Sequence, residues 1–364
     1  ACMTQTFPQA KAASVAVIIP SRNEHADSIR MTVESVMSNS GAELLGIWVI
    51  DDASREAIDP APFQRYISRG LVQIVRNERR LGVAGSKSHG ATLALSKGAE
   101  TLVFLDAHCV LSKNWLSPLV STLSEYPKAI VFPGLDAIHP KTGDILRGAE
   151  ATAMLDITME IEWRVVTGAD SGDLLQLSPV SPGIFAIKSA FYRQLGGVAS
   201  DLFPFGFDSV DLSIKSWLCG GSVIREPCSR AAHMYFNLES DVYTRNGITE
   251  KDMHRNALVV AEGNMGKEVA EAVRRARFAS APAYEVDLPV SVLTRMQAVS
   301  RTLECQSFDW YLEYVAPRLN AQIQESNKHW SEDANKARTA AALAPLIQQY
   351  TKQTEVKTSE TELK

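Results

Sequence analysis

Asp106 and His108 stand two residues apart, just past the apolar run Leu102-Val-Phe-Leu105. Side chains two apart in extended chain project to the same side, so this carboxylate and this imidazole can reach one divalent cation. Mixed oxygen and nitrogen donors suit Mn²⁺ and similar ions, and zinc is also accommodated. A transferase that uses a nucleoside-diphosphate sugar needs such a cation, which neutralises the charge growing on the leaving diphosphate as the glycosidic bond breaks. Taken alone, the triplet reads more simply as a helix cap beside an unrelated histidine.

Three further groups carry comparable chemistry. Asp51 and Asp52, in Val49-Ile-Asp-Asp-Ala-Ser54, can accept hydrogen bonds from a uracil N–H or a ribose hydroxyl. The plainer reading is a turn capped by Ser54 or Asp52. Asp208 and Asp211, in Phe205-Gly-Phe-Asp-Ser-Val-Asp-Leu-Ser213, share one face of a helix start. One of them can bind a sugar hydroxyl, although acids also favour helix N-termini through the dipole. His233 ends Cys228-Ser-Arg-Ala-Ala-His233. Arg76, Arg79, Arg80 and Lys87 form a basic cluster that can meet a diphosphate or simply face solvent. Gly82 and Gly85 do not form GxGxxG, and GxxxxGK[ST] is absent, which disfavours a dehydrogenase or a P-loop NTPase.

The elements that must position these residues alternate between strand and helix. Strands are expected at Val15–Pro20, Ile47–Ile50, Leu71–Val75, Leu102–Leu105 and Ala129–Pro133, with helices around Ile29–Met37, Gly82–Lys97 and Asn114–Glu125. Such alternation implies a mainly parallel sheet covered on both faces, with ligands bound beyond the carboxyl ends of its strands. Asp51, Asp52, Asp106 and His108 all fall at such ends. Residues 136–265 are less regular: a strand at Ile184–Ile187, a helix at Asp208–Leu218 stopped by Gly220-Gly221, and a polar, mobile stretch over Asn237–Lys251. The chain thus divides into 14–265, with halves 14–135 and 136–265, a helical region over 266–350, and a disordered polar tail over 351–364.

Composition sets the limits. The chain has 364 residues, 45% hydrophobic and 22% charged, with room for a sizeable core. The net charge of −5 argues against a whole-protein grip on nucleic acid. No apolar run approaches the roughly 20 residues of a membrane span, and Ala1–Ala13 lacks a signal-peptide core. Met3 reads as a start residue, with Ala1 and Cys2 as an appendage. Five cysteines without a CxxC pair suggest neither a disulfide framework nor a zinc knuckle. They read as mostly reduced and buried in a cytoplasmic protein.

Together and in this order, the pieces resemble the catalytic domain of the polypeptide N-acetylgalactosaminyltransferase family, the enzymes that start mucin-type O-glycosylation. The resemblance spans about residues 15–317. It rests on Val17-Ile-Ile with Asn23-Glu24, Val49–Ser54, Phe104–Cys109, Gly183–Ile187, Phe205–Gly221, Cys228–His233 and Cys305-Gln-Ser-Phe-Asp-Trp-Tyr-Leu-Glu313. It implies a GT-A nucleotide-sugar fold, Rossmann-like and mainly parallel, with a helical C-terminal extension. It also implies a metal triad of Asp106, His108 and His233, usually for manganese, and nucleotide-binding acids at Asp51 and Asp52. Asp208 becomes a sugar contact, Lys87 and Tyr243 donor contacts, and 235–250 a loop over the diphosphate of a UDP-sugar. The resemblance implies retention of anomeric configuration, with no enzymic nucleophile: the leaving phosphate takes the acceptor's proton.

Departures from the family set further expectations. Phe205-Gly-Phe-Asp-Ser209 replaces Trp-Gly-Gly-Glu-Asn, which alters the sugar pocket. Phe236 and Gly85 stand where the family has arginines, so diphosphate binding should lean on the metal and on Lys87 or Arg245. No lectin domain or anchor is recognisable, which suggests a bacterial or viral cytoplasmic enzyme. The favoured acceptor is a Ser or Thr hydroxyl of a polypeptide. A hydroxymethylated DNA base or a glycan is the alternative, with Arg274, Arg275 and Arg277 as the candidate DNA contact. A non-catalytic module that binds a UDP-sugar or a partner is the second alternative.

Overall fold

The computed structural model describes residues 2, 7, 11–12, 14–166, 175–235, 241–278 and 288–328. The first half runs β1 (Val15–Ser21), α1 (Ala26–Asn39), β2 (Leu44–Asp51), α2 (Gln64–Ile67), β3 (Val72–Arg76), α3 (Gly82–Ser96), β4 (Thr101–Phe104), β5 (Cys109–Leu111), α4 (Leu116–Glu125) and β6 (Ala129–Ile138). Then follow β7 (Ile145–Leu146), β8 (Ala151–Leu155), β9 (Ile161–Val165), β10 (Gln176–Leu177), β11 (Phe185–Lys188), α5 (Ser189–Gln194), α6 (Asp208–Leu218) and β12 (Ser222–His233). The chain continues through α7 (Asp241–Asn246), α8 (Glu250–Met265), α9 (Lys267–Phe278), α10 (Val290–Thr302) and α11 (Phe308–Tyr314). Another helix covers 317–328.

Ten strands form one sheet: eight follow the path β10-β12-β6-β11-β4-β1-β2-β3, β5 pairs with β12 and β7 with β6. β4, β1, β2 and β3 are parallel, as the alternating pattern predicts. The second half is mixed: β11 runs against both β4 and β6. The expected strands and helices lie within a few residues of the observed ones, and α6 matches its expected helix end to end.

β1 shows why apolar runs without alternation become central strands. Val15, Val17 and Ile19 enter the core layer with α1 and α4, while Ala16 and Ile18 enter the opposite layer. A parallel strand covered on both faces needs apolar residues at every position. The layer holding Ala16 and Ile18 also takes in Val260, Val273, Met296, Tyr311 and Leu319. The described part of the helical region therefore shares the sheet's own core. The expected tail, 351–364, lies outside the described residues.

Two expectations are corrected. The cysteines are not mostly reduced: Cys2 bonds to Cys228 and Cys219 to Cys305, with Cα–Cα distances of 5.2 and 4.4 Å, and Cys109 alone is free and buried. The partners are 226 and 86 residues apart, so no local spacing could signal them. Cys2, read as an appendage, is covalently tied to β12. The pairing also removes the premise of a cytoplasmic protein, since disulfides persist in oxidising compartments. No helix among the described residues is long and apolar enough to cross a membrane.

Candidate active site

The carboxyl ends of β1, β2 and β4 meet at one edge of the sheet, and β12 returns to that edge. Asp106 and His108 lie between β4 and β5. His233 is the last residue of β12, opposite Cys109 in the antiparallel β5–β12 ladder. Met234 N donates to the His108 carbonyl oxygen at 3.2 Å. That ladder brings together imidazoles 125 residues apart in sequence: Nε2 of His108 lies 3.1 Å from Nε2 of His233. The same His233 nitrogen lies 3.1 Å from Oδ2 of Asp106.

These ligand atoms lie within 4.8 Å of one another, the one such set of three among the described residues. Two atoms each about 2.1 Å from a shared ion and roughly a right angle apart are separated by about 3 Å. The donor set therefore fits a divalent cation. Glu24, just past β1, accepts from Nδ1 of His108 at 3.1 Å. A proton on Nδ1 leaves the Nε2 lone pair facing His233 and Asp106, the tautomer a metal ligand needs.

The electrostatics favour a cation. Burial would raise Asp106, but the His233 hydrogen bond and the charges of His233, Lys87 and His108 hold it well below the usual carboxylate range. Burial would likewise raise Glu24, yet His108 brings it down. His108 is raised, because its Glu24 bond and the Asp106 charge outweigh burial. Replacing Glu24→Gln keeps the shape and removes the charge. It should weaken Mn²⁺ binding by about 10- to 100-fold, measured by calorimetry.

A cavity of about 100 Å³ adjoins this cluster, lined by Arg22, Glu24, Asp52, Arg80, Asp106 and His108 among others. Asn246 and Ile248 border it from the α7 side. Asn246 Oδ1 accepts from Nδ2 of Asn23 at 3.0 Å, which ties α7 to the β1 end. Of the expected loop, Tyr235 and residues 241–250 are described, and Phe236 lies outside the described residues.

Other expected site residues sit as follows. Asp52 is on the cavity wall, but its carboxylate already accepts from Leu81 N (2.6 Å), Asn77 Nδ2 (3.0 Å) and Gly82 N (2.9 Å), capping α3. Asp51 lies behind it, bonded to Arg76 and to Ser54 N. Lys87 and Asp208 bind each other at 2.7 Å, at 1% and 5% exposure. Lys87 also donates to the Gly183 carbonyl oxygen at 3.3 Å, and this pair stands beside Asp106. Asp211 is taken by Lys215 and Asn264. Tyr243 packs edge-on against Phe205, with ring centroids 5.6 Å apart. Burial and then the Asp106 charge push its hydroxyl up.

Phe207 carries the main departure of the sugar motif. Its φ is +69°, a left-handed conformation that suits the glycine of the resembled motif and costs a bulky residue about 1–2 kcal/mol. The Arg277 guanidinium lies over its ring at 5.4 Å. Arg277 also bonds the Thr158 carbonyl oxygen and Glu160, Arg275 bonds Asn327, and Arg274 pairs with Glu271. The candidate DNA-binding arginines are thus engaged within the chain.

Comparison with known proteins agrees with this geometry. Residues 16–179 match the model of glycosyl transferase family 2. The chain holds a glycosyltransferase domain of the GT-A fold. It resembles N-acetylgalactosaminyltransferase 4 of Drosophila melanogaster, 31% identical over 87% of this chain and 49% of that protein. It is 28% identical to the inactive polypeptide N-acetylgalactosaminyltransferase-like protein 5 of Macaca fascicularis, over 89% of this chain and 72% of that protein. A crystal structure of GalNAc-T7 with UDP, GalNAc and Mn²⁺ superposes with a TM-score of 0.72 at 26% identity, covering 86% of this chain and 58% of that one. The chain spans about half the length of the Drosophila protein. In this GT-A domain, sequence reasoning missed Glu24 as a site member, although it quoted the residue. Its signal was an acid at the end of the first strand, on the edge that also carries Asp52 and Asp106.

Proposed function

We propose that this GT-A domain transfers a sugar from a UDP-sugar to a hydroxyl of a macromolecule, with Ser or Thr of a polypeptide as the favoured acceptor. The carrying observation is the convergence of Asp106, His108 and His233 on one point at the carboxyl edge of the sheet. Those three residues would hold Mn²⁺, which supplies neutralisation of the diphosphate charge. Glu24 fixes the His108 ring, and Asn246 of α7 borders the site. The names of the relatives support N-acetylgalactosamine and a polypeptide acceptor, while the altered Phe205–Ser209 stretch keeps other hexoses in the test. Retention of configuration comes with the resemblance, and the two disulfides suit an oxidising compartment.

The test is release of nucleotide from a panel of nucleotide sugars, with and without Mn²⁺. Metal-dependent release from one UDP-sugar, followed by transfer to Ser/Thr peptides, is expected. A relative described as inactive, together with Gly85 and Phe236 at arginine positions, favours a second reading, a module that binds donor without turnover. Calorimetric binding of UDP with Mn²⁺ but no release or transfer would support that reading. Absence of both binding and release would overturn the donor-site assignment.

A further inference from the structure

Arg277, which the sequence offers as a DNA contact, is a buried clamp inside the domain. It lies in the last turn of α9, and its side chain is only 6% exposed. Nη1 donates to the Thr158 carbonyl oxygen, and Nη2 pairs with Glu160 at 3.0 Å. Thr158 and Glu160 belong to the turn between β8 and β9, where the Asp156 carboxylate accepts from Glu160 N at 2.9 Å. The same guanidinium lies 5.4 Å from the centroid of the Phe207 ring. Phe207 immediately precedes α6, is left-handed and has no side-chain cap. The next residue, Asp208, holds Lys87 at 2.7 Å. Lys87 Nζ and Asp106 Oδ2 both stand against Gly183. Contacts therefore run from α9 through Phe207 and Asp208 to the neighbourhood of Asp106.

A bulky residue stays left-handed only where its surroundings hold it there, whereas glycine needs no such hold. A guanidinium within about 6 Å of a ring centroid is attracted to the ring face, and more strongly when both are out of water. We infer that Arg277 is a positioning residue for the sugar end of the donor site: it holds Phe207 left-handed and so aims Asp208 and Lys87 at Asp106. The inference rests on the UDP-sugar reading above. Arg277 has no hydrogen bond or ion pair to Asp208, Asp106, His108 or His233, so it acts through Phe207. The helical region thereby gains a part in the site. α8 holds the same stretch two residues earlier, where the fully buried Asn256 donates to the Phe205 carbonyl oxygen at 2.9 Å.

The test is a double-mutant cycle, read by calorimetry on the full chain in Mn²⁺ with UDP, UDP-galactose and UDP-N-acetylgalactosamine. UDP reports the nucleotide end alone. Arg277→Met keeps the aliphatic stem and removes the guanidinium, and the Glu160 it leaves behind is half-exposed to water. It should weaken the tighter-bound UDP-sugar about 10-fold, the scale of a partly buried cation–π contact, and UDP less than about twofold. The same substitution in the Phe207→Gly background should cost less than about threefold, because glycine needs no clamp. Unchanged UDP binding also shows that the variants are folded. An equal sugar loss in both backgrounds means that Arg277 does not act through Phe207. Equal weakening of UDP and UDP-sugar, or no weakening, means that it does not position the sugar end. Each of these results overturns the inference and leaves the donor site standing. A parent chain that binds neither UDP-sugar fails the donor-site reading first, and the role of Arg277 with it.

Discussion

His233→Ala should lower Mn²⁺-dependent release of nucleotide from a UDP-sugar by at least about 10²- to 10³-fold, the cost of deleting one group that stabilises a developing oxyanion. The size follows from the geometry. Nε2 of His233 is within 3.1 Å of both other ligand atoms, so its removal leaves a two-ligand site. His233 is a better first target than His108, whose loss would strand the buried Glu24 carboxylate. The variant should unfold at nearly the parent temperature, because the ring borders the cleft. Two readouts separate the causes: calorimetry with Mn²⁺ should show weakened metal binding, and excess Mn²⁺ should recover part of the turnover. Full activity without His233 would remove the triad from the reaction.

Cys219→Ser with Cys305→Ser should destabilise the fold by about 2–4 kcal/mol, with a loop-closure limit near 4–5 kcal/mol for a bridge of this span. The bond joins the end of α6, whose first turn carries Asp208 and Asp211, to the segment leading into α11. It is reinforced by Gln306 N donating to the Leu218 carbonyl oxygen at 2.8 Å. Urea denaturation of oxidised parent and double variant would give the difference. Reductant should lower the midpoint of the parent by more than it lowers that of the variant, whose remaining bridge is Cys2–Cys228. Thiol titration of the unfolded, unreduced chain should find one reactive cysteine, Cys109, of the five present. Five would show that the bridges do not form.

Much of the parallel half was legible because each strand and helix there is specified locally. A double-sided apolar run such as Val15–Ile19 has no other stable place than the middle of a sheet. The long strand β12 was not legible, because Arg225, Glu226, Pro227 and Arg230 interrupt its apolar pattern. Those charges are tolerated only through partners far away in sequence: Arg225 pairs with Glu150, Arg230 with Asp136 and Glu150, and Glu226 accepts from Thr122. The site divides in the same way. Asp106 and His108 could be paired from spacing, whereas His233 entered through resemblance, since a ladder and not a local motif brings it there. Lys87 and Asp208 were each read as reaching for the donor. That they face each other is a contact 121 residues apart in sequence, which no helical periodicity encodes.

β12 also sets a limit on how this chain can vary. Its pairing with β6 runs in step through Glu226↔Pro133 and resumes at Arg230↔Gly134, so three residues on one strand are looped out against none on the other. That bulge contains Cys228 and can absorb a gain or loss of length. The four residues beyond it cannot. Side chains alternate across a strand, so one residue added between Arg230 and His233 would turn the last imidazole to the opposite face. Lineages of this chain should therefore tolerate insertions up to Ser229 and none in the next four positions. An indel there would produce a folded protein blind to metal, a lesion that expression and solubility would not reveal.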